Sequence, residues 1–387
     1  MAVLSDAQRE AGWTVVKLGD ITTKIGSGST PRGGKSSYVD EGPMVIRSQN
    51  VLDNELDLSD VARVPEELTA KLKSVLVQKG DTLLNITGSG NTTIGRSALV
   101  HEDLGEAYVN QHVCIIRPNK SLVNEIFLQK SIFAFKDELL GLSYGSTRDA
   151  LTKGIIESFE IPLPPLEEQE RIARILGSLD DKIEANTRLI QTMDSYKSTL
   201  FQAHLCSESE GETIKISDVA TLIRKNIAAS DIDESMNYVA LEHIPRHSLY
   251  SHEWTNSEGV MSNKSGFKVG DILFGKLRPY FHKVSIAAVD GIASTDILVL
   301  RPKPEFEVLA QSLLSSEDLI EYATQVSSGT RMPRASWKDI MNYEVTVKNV
   351  EILQESLSGF DTYSRALIYE NKVLTETRDA LVKRLIG

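Results

Sequence analysis

An internal repeat constrains the fold of this 387-residue chain more than any other feature of its sequence. Short motifs of the first half return in the second half in the same order, while the spacing between them drifts. The matching segments are Gly80-Asp81 and Gly270-Asp271, Ile116-Arg117-Pro118 and Leu300-Arg301-Pro302, Gly145-Ser146-Thr147-Arg148 and Ser328-Gly329-Thr330-Arg331, and Phe159-Glu160-Ile161 and Tyr343-Glu344-Val345. Insertions in the loops between shared strands would produce this drift. The sequence therefore predicts a tandem duplication of one structural unit.

Each repeat has a strand-rich part followed by a long helical part. Short apolar runs broken by Gly, Asn and Ser predict the strands. The run Leu166–Phe201 has apolar residues spaced alternately by four and three and contains no proline, and a similar run ends the second repeat. We therefore predict an α+β fold with two mixed α/β domains in tandem, separated by two long coiled-coil-like helices. The predicted boundaries are 1–165 and 207–348 for the domains, and 166–206 and 349–387 for the helices.

Each predicted helix carries one asparagine on its apolar seam, Asn186 in the first and Asn371 in the second. A buried polar residue on such a seam costs stability and fixes the register of a helix pair. One amphipathic helix lying on its own domain is the commoner arrangement, but about 36 residues, or roughly 54 Å, exceed what one small domain covers. We therefore predict that the two helices pair. Connectivity then makes the pair antiparallel and relates the repeats by pseudo-two-fold symmetry.

Composition and spacing argue against several classes of protein. The formal net charge of −12 argues against a histone-like protein with a basic surface throughout. No run of about 18 apolar residues predicts a membrane span. Cys114 and Cys206 have no zinc-ligand spacing, and the histidine pair His243 and His247 is followed by no third ligand. The N-terminus lacks the pattern of a signal peptide. We expect a soluble cytoplasmic protein that needs neither a metal nor a cofactor.

Motifs of enzymes that act on nucleotides or nucleic acids are missing. Gly34-Lys35-Ser36 resembles the end of a phosphate-binding loop, but Ser29 stands where that loop requires a glycine, and Pro31 interrupts the context. Neither an Asn-Pro-Pro-aromatic nor an Asp-Pro-Pro-aromatic tetrapeptide for adenine methylation occurs. The sequence therefore predicts no catalytic activity.

The second repeat contains the strongest candidate for a nucleic-acid contact, the basic and aromatic stretch Lys264–Lys283. Its cations could bind phosphates, and its rings could pack against bases or sugars. Taken alone, such a stretch is more often a strand–turn–strand with a solvated basic face and aromatic core residues. A Ser/Gly/Pro-rich loop near Arg331 adds further cations. The candidate contacts in this repeat are Lys276, Arg278, Tyr280, Lys283, Thr330, Arg331 and Arg334.

Candidates in the first repeat are weaker, because ordinary turn chemistry explains each of their loops equally well. A glycine-rich loop that begins at Gly88 could bring backbone amides to a phosphate. Another loop matches the one around Arg331 in the second repeat. The candidates in the first repeat are Thr30, Arg32, Lys35, Ser89, Asn91, Arg96, Tyr144, Ser146, Thr147 and Arg148.

The segment Leu163-Pro164-Pro165-Leu166-Glu167-Glu168-Gln169-Glu170-Arg171-Ile172 resembles the junction between a target recognition domain and a conserved helix in the specificity subunits of type I restriction–modification systems. Gly270–Tyr280, Ser294–Asp296 and Gly329–Arg334 strengthen the resemblance. It covers essentially the whole chain, in the family's domain–helix–domain–helix order. One departure is the second junction, Val345-Thr346-Val347-Lys348-Asn349, where the family usually has a proline-rich segment. The start of the second helix is therefore less well defined.

This resemblance implies a non-catalytic subunit in which each recognition domain reads one half of a bipartite site in double-stranded DNA. The helices would set the gap between the halves and dock two adenine-N6 methyltransferase subunits. Endonuclease and translocase subunits would complete the restriction complex. With the resemblance, we favour DNA contact for Lys264–Lys283 and expect Phe267 and Phe274 to lie in the core.

Two functions of other classes stay open on the residues themselves. The first is a scaffold whose paired helices bind protein partners and not DNA, which predicts no salt-dependent affinity for DNA. The second is an enzyme hidden in the strand-rich domains. The absence of an acid–base or metal constellation in the sequence disfavours that enzyme.

Overall fold

Strands and helices are organised in two units that follow the sequence repeat. The computed structural model describes residues 3–29, 37–88, 93–142, 150–205, 211–250, 253–329, 332–357 and 359–387. Unit 1 consists of Met1–Asp180 with Thr377–Gly387, and unit 2 consists of Asp181–Glu376. Both units mix sheet and helix, so the predicted α+β tandem fold is confirmed. Of the helices described, none is long and apolar enough to cross a membrane.

Unit 1 is a strand-rich body that leads into a long helix. Its strands are β1 (Thr14–Lys17), β2 (Thr22–Ser27), β3 (Val39–Ile46), β4 (Ala62–Arg63), β5 (Thr82–Asn85), β6 (Ser97–Leu99), β7 (Ala107–Val109), β8 (Val113–Pro118) and β9 (Glu160–Leu163). Its helices are α1 (Asp6–Glu10), α2 (Glu125–Ala134), α3 (Lys136–Gly141), α4 (Lys153–Ser158) and the first part of α5 (Leu166–His204).

Two sheets and a closing strand pair build the body of unit 1. The first sheet is antiparallel, with the order β2-β8-β5-β6. The second has the order β4-β3-β7, in which β3 and β7 are parallel. Strands β1 and β9 pair antiparallel, with Val16 opposite Ile161. Because Pro164 and Pro165 follow β9 directly, this pair fixes the point at which α5 begins.

Unit 2 contains the remaining strands and most of the second helical part. Its strands are β10 (Glu212–Lys215), β11 (Ala220–Leu222), β12 (Asn226–Ile227), β13 (Asn237–Val239), β14 (Thr255–Asn256), β15 (Lys264–Phe267), β16 (Ile272–Gly275), β17 (Val284–Ile286), β18 (Gly291–Ala293), β19 (Ile297–Pro302) and β20 (Glu344–Val347). Its helices, besides the rest of α5, are α6 (Ile216–Val219), α7 (Glu307–Leu314), α8 (Glu317–Gln325), α9 (Trp337–Ile340), α10 (Val350–Leu357) and most of α11 (Phe360–Leu385).

The strand order of unit 2 repeats that of unit 1. Its antiparallel sheet runs β11-β19-β16-β17, which corresponds strand for strand to β2-β8-β5-β6. The parallel pair β13 and β18 corresponds to β3 and β7, and the closing pair β10 and β20 corresponds to β1 and β9. Unit 2 extends its second sheet with β12 and β15. The duplication predicted from short motifs is therefore confirmed in the topology.

The repeated Gly-Asp and Arg-Pro motifs form the same ion pair in both units. In unit 1, the Arg117 Nε and Nη2 atoms donate to the two carboxylate oxygens of Asp81 at 2.7 and 2.8 Å. In unit 2, Arg301 binds Asp271 through the same atoms at the same two distances. Each carboxylate also accepts a backbone amide of its own turn, from Gln78 or Lys268. The pair thus fastens the turn before β5 or β16 to the neighbouring strand.

A glutamine near the start of each long helical part, buried at Gln169 and half-buried at Gln354, attaches that part to its domain. In unit 1, Gln169 accepts from the amide of Asn124 at 2.9 Å and donates to Pro164 O at 2.8 Å. In unit 2, Gln354 accepts from the amides of Val308 and Leu309 at 2.9 and 3.1 Å. Each glutamine therefore satisfies backbone groups at the start of the neighbouring helix, α2 or α7.

The second helical part departs from the sequence prediction of one continuous element. It is divided into α10 and α11, and Gly359 lies between them with a φ of 87°. Glycine adopts this left-handed conformation at little cost, and it ends a helix there. Leu353 and Leu357 of α10 lie in the core of unit 2. The corresponding start of α5 continues without a break.

Within unit 2, α5 and α11 pack antiparallel, as predicted. Asn186 Nδ2 donates to Asn371 Oδ1 at 2.9 Å, and further along the pair Lys197 Nζ donates to Asp361 Oδ1 at 2.6 Å. Both asparagines are buried, 3% and 4% exposed. Asn371 Nδ2 also donates to Thr187 Oγ1 at 3.1 Å. The two seam asparagines therefore contact each other across the antiparallel pair.

The asparagine pair can be tested with a double-mutant cycle. Asn186→Leu removes the donor to the buried Asn371 Oδ1, so we expect a loss of about 2 kcal/mol in the free energy of unfolding. Asn186→Leu with Asn371→Leu should cost clearly less than the sum of the single changes, because no polar group is then left unpaired. Urea unfolding of the full chain measures this, with the exposed Thr192→Val as control. Strictly additive losses would contradict the pairing.

The repeated ion pair gives a second prediction. Asp81→Asn keeps the shape of a side chain that is 1% exposed but leaves the Arg117 guanidinium without its counter-charge. Breaking one partner of a buried pair costs about 3–5 kcal/mol, and we expect the lower end because Arg117 is partly exposed. The matched control is Asp40→Asn on the exposed face of β3. Equal urea midpoints for the two variants would exclude a stabilising role for the pair.

Candidate nucleic-acid interface

Four of the seven candidate residues of the second repeat lie on the 276–283 loop, which joins β16 to β17. The amide of Gly275 donates to Lys283 O at 2.8 Å, so the ends of the loop are in contact. A Cβ on Gly275 would lie 3.0 Å from that same oxygen, which explains the glycine. Arg278 and His282 adopt left-handed backbone conformations, with φ of 52° and 48°. Such conformations are uncommon outside glycine and concentrate at functional sites.

A second segment, the one that ends at Arg334, packs across this loop. The amide of Arg278 donates to Pro333 O at 2.7 Å, and the amide of Ala335 donates to Lys276 O at 2.9 Å. Arg334 Nε donates to Asp296 Oδ1 at 3.3 Å. The backbone therefore brings Lys276, Arg278 and Arg334 together, although Arg334 is remote from the other two in sequence. Thr330 and Arg331, from the same predicted loop, lie outside the described residues.

Tyr280 of the 276–283 loop and Arg334 of the neighbouring segment have exposed side chains. Tyr280 is 48% exposed, and the Arg334 side chain is 45% exposed. Arg246, which the sequence analysis did not select, places its guanidinium 4.1 Å from the centre of the Phe281 ring. The Arg278 guanidinium lies 5.8 Å from the same ring. The buried Nε of Arg278 has no hydrogen-bond partner among the described residues.

Other lysines of the stretch Lys264–Lys283 lie elsewhere. Lys268 is in the turn before β16, at the opposite end of that strand from the 276–283 loop. Lys264 is buried and donates to Ser262 Oγ at 2.6 Å. Lys283 donates to Leu241 O, and burial, with a smaller effect of Arg246, lowers the pKa of its ammonium group. The cations of the stretch therefore do not form one surface: Lys268 lies before β16, and the 276–283 loop lies after it.

The aromatic residues of the stretch follow the prediction. Phe267 and Phe274, expected in the core, are 4% and 0% exposed. Phe267 belongs to the core of the second sheet of unit 2, whereas Phe274 packs between the first sheet and the helices. The two rings point into different cores because they lie on different strands.

Unit 1 joins the described residues that flank its corresponding loops in the same way. Thr87, after β5, forms an isolated bridge with Ala150, and the amide of Leu151 donates to Ile86 O at 2.9 Å. These contacts correspond to those of Leu277 with Arg334 in unit 2. Arg96 lies half-buried just before β6, and its carbonyl accepts from Asn85 at 2.9 Å. The candidates outside the described residues are Thr30, Arg32, Lys35, Ser89, Asn91, Tyr144, Ser146, Thr147 and Arg148.

Histidines of unit 2 are arranged differently from the pair noted in the sequence. His243 Nδ1 accepts from the amide of Ala240 at 3.0 Å. His247 instead lies beside His282, with ring centres 4.7 Å apart, and both approach Glu317. Burial lowers the pKa of His282, against an opposing effect of the Glu317 charge. No pattern of local spacing connects these three residues.

Comparisons with known proteins agree with the repeat and the fold. Residues 10–194 match the family model described as the type I restriction modification DNA specificity domain. The type I restriction enzyme HindI specificity subunit of Haemophilus influenzae is 28% identical over 49% of this chain and 40% of its own length. The EcoDI specificity subunit of Escherichia coli is 24% identical over 52% of this chain and 54% of its own length. The chain thus spans about half the length of these curated relatives.

Longer matches cover both repeats. The type I restriction enzyme MjaIX specificity subunit of Methanocaldococcus jannaschii is 24% identical over 97% of this chain and 92% of its own length. The crystal structure of a type I restriction-modification system S subunit from M. genitalium aligns with a TM-score of 0.54 and 16% identity. That alignment covers 97% of this chain and 96% of the other. This last similarity concerns the fold.

Proposed function

Because the chain belongs to the family of type I restriction–modification specificity subunits, we propose that it binds double-stranded DNA and reads a bipartite sequence, one half with each unit. One observation carries the proposal. In each unit, two segments from equivalent positions in the topology meet beyond the same end of the first sheet. In unit 2 these segments carry Lys276, Arg278 and Arg334. Among the described residues, the Nε of Arg278 has no hydrogen-bond partner there.

The chemistry of this surface suits DNA. Arginine binds phosphates or forks onto guanine in the major groove. The Arg246 and Phe281 stack offers a rigid cationic plane, since a guanidinium over a ring is held in orientation. The acidic Asp296 is paired with Arg334, which reduces its repulsion of phosphate. The net charge of −12 therefore does not argue against local DNA binding.

We propose that α5 and α11 set the gap between the two half-sites. The seam contact between Asn186 and Asn371 supports this role, because it permits one register. We infer that two adenine-N6 methyltransferase subunits dock on these helices. Exposed apolar side chains on the unit 2 parts of these helices support such docking: Leu189, Tyr196, Tyr363, Tyr369 and Val373.

In this proposal the chain is the recognition subunit of a cytoplasmic complex and performs no chemistry itself. Methyl transfer would belong to the docked subunits, and endonuclease and translocase subunits would complete the restriction complex. The second candidate function is a scaffold that binds only proteins. The exposed helix residues fit it equally, so DNA binding with a defined salt dependence discriminates between the two.

A prediction for the arginines of the 276–283 surface tests DNA contact. Arg278→Asn suits the left-handed backbone, and Arg334→Ala removes the second cation. Each lost phosphate contact should lower the slope of log affinity against log salt by about 0.9. If the arginines read bases, discrimination at one half-site should instead weaken by about 1–3 kcal/mol per base pair. Equilibrium binding to duplexes over a salt series measures both effects.

The control for this experiment lies beyond the other end of β16. Lys268→Ala removes an exposed cation at the opposite end of β16 and should leave affinity and slope unchanged. If the two arginine variants fold and bind like the control, the arginines are structural. A wild-type chain with no salt-dependent affinity for DNA would favour the scaffold.

The gap-setting role predicts that target spacing follows helix length. We would insert seven residues between Asn186 and Lys197 on α5 and seven between Asp361 and Asn371 on α11. A heptad keeps the seam in phase, and the two insertions lie opposite each other in the antiparallel pair. Each adds about 10 Å, so the preferred spacer should grow by about three base pairs. Binding to duplexes that differ only in spacer length measures the result.

The two half-sites should stay unchanged in that variant, because the recognition domains are untouched. A seven-residue insertion after Gly105, in an exposed turn of unit 1, serves as the control and should keep the original spacer. If the lengthened variant folds and also keeps the original spacer, the helices do not set the gap.

A further inference from the structure

Three side chains of unit 2 that are of types able to bind a metal ion meet at the end of the 276–283 loop. His247 Nδ1 lies 3.2 Å from Glu317 Oε1, and His282 Nδ1 lies 3.1 Å from the same oxygen. A ligating atom of each residue lies within 4.8 Å of those of the other two. The three residues come from separate segments of the chain. The function proposed above assigns them no role.

Hydrogen bonding around His282 leaves one nitrogen facing the carboxylate. Its Nε2 lies 2.9 Å from Ser315 O, and a carbonyl can only accept, so Nε2 carries a hydrogen. In the neutral ring, Nδ1 therefore presents a lone pair to the Glu317 oxygen. A cation between the two atoms could accept both the Nδ1 lone pair and an oxygen lone pair of Glu317.

The separations fit a transition-metal ion. Bonds of about 2.0–2.1 Å in tetrahedral geometry place ligand atoms roughly 3.3 Å apart. The observed separations of 3.1 and 3.2 Å are close to this value. Two imidazole nitrogens with one carboxylate favour zinc-type ions over calcium or magnesium, which prefer oxygen ligands. The bond from His282 Nε2 to Ser315 O is the second contact that usually orients a metal-binding histidine.

The backbone holds the two imidazoles in place. His247 and His282 both have left-handed conformations, with φ of 53° and 48°, and the amide of His247 donates to His282 O at 3.0 Å. All three residues line a cavity of about 380 Å³ whose wall also includes Asp194 and Ser248. The cavity leaves room for a fourth ligand such as water.

We propose that His247 Nδ1, His282 Nδ1 and Glu317 Oε1 bind one divalent transition-metal ion, of which zinc is the best fit. The ion would link three segments: the one that carries Arg246, the end of the 276–283 loop, and the start of α8. It would act as a structural support, since it fixes the loop on which Arg278 and Tyr280 lie. The site does not depend on the proposed function, because it rests on these three side chains alone.

Direct metal binding by the full chain, without a histidine tag and after dialysis against a chelator, tests the site. We expect one equivalent of Zn²⁺ by calorimetry, and one of Co²⁺ with the visible absorption of a low-coordinate nitrogen and oxygen site. Glu317→Gln and His247→Asn should each weaken affinity at least tenfold. Both positions are exposed, and asparagine tolerates the left-handed backbone of position 247, so both variants should fold.

Matched controls separate this site from other metal-binding groups. Glu321→Gln lies one turn further along α8, and His101→Asn changes an exposed histidine of unit 1; both should bind like the wild type. Zn²⁺ should also slow amide hydrogen exchange in residues 276–283 of the wild type and not of Glu317→Gln. The absence of stoichiometric binding, or equal binding by Glu317→Gln and the wild type, would overturn the proposal. Neither result bears on DNA affinity, which the salt series measures separately.

Discussion

The buried pair of Asp81 with Arg117, repeated as Asp271 with Arg301, fixes the start of a central strand of the first sheet in each unit. A carboxylate that is 1–2% exposed must be compensated, and here a bidentate guanidinium and a turn amide compensate it. The pair fixes the start of β5 or β16 against the neighbouring strand. The ion pair lies at the start of β5 or β16, and the candidate loop follows the end of the same strand.

The duplication and the helix pair could be predicted from the sequence because each depends on a pattern that is visible along the chain. The motif repeat predicted the duplication, and the spacing of apolar residues with Asn186 and Asn371 predicted the antiparallel helix pair. The break at Gly359 was missed because the heptad pattern continues through it, while the conformation of a single glycine ends the helix. The roles of Gln169 and Gln354 were also missed, although Gln169 lies in the motif that carries the family resemblance. Their partners are backbone groups, which leave no trace in side-chain patterns.

The candidate surface could be predicted only in part, because it is assembled from remote segments. Lys276, Arg278 and Tyr280 were selected from a basic stretch, but strand β16 places Lys268 at the other end of the sheet. Arg246 joins through its contact with Phe281, and no motif marks it. The cluster of His247, His282 and Glu317 could not be predicted either, because its members are remote in sequence. The nearby His243, which is close to His247 in sequence, is not part of it. Charge and spacing thus identify candidates, and tertiary contacts decide which of them meet.

Buried polar contacts fix the register of α5 within each unit. In unit 1, Asp180 accepts from Arg378 at 2.9 Å and lies 2.7 Å from Lys130 Nζ of α2. In unit 2, Lys197 donates to Asp361, to Gln311 of α7 and to Tyr250. Burial and the Asp361 charge raise the pKa of Tyr250, so its hydroxyl stays protonated and donates to that carboxylate. An apolar seam alone would tolerate a shift of one heptad. A shift here would leave several buried charges unpaired at once, so each end of the helix is fixed to its own domain as well as to α11.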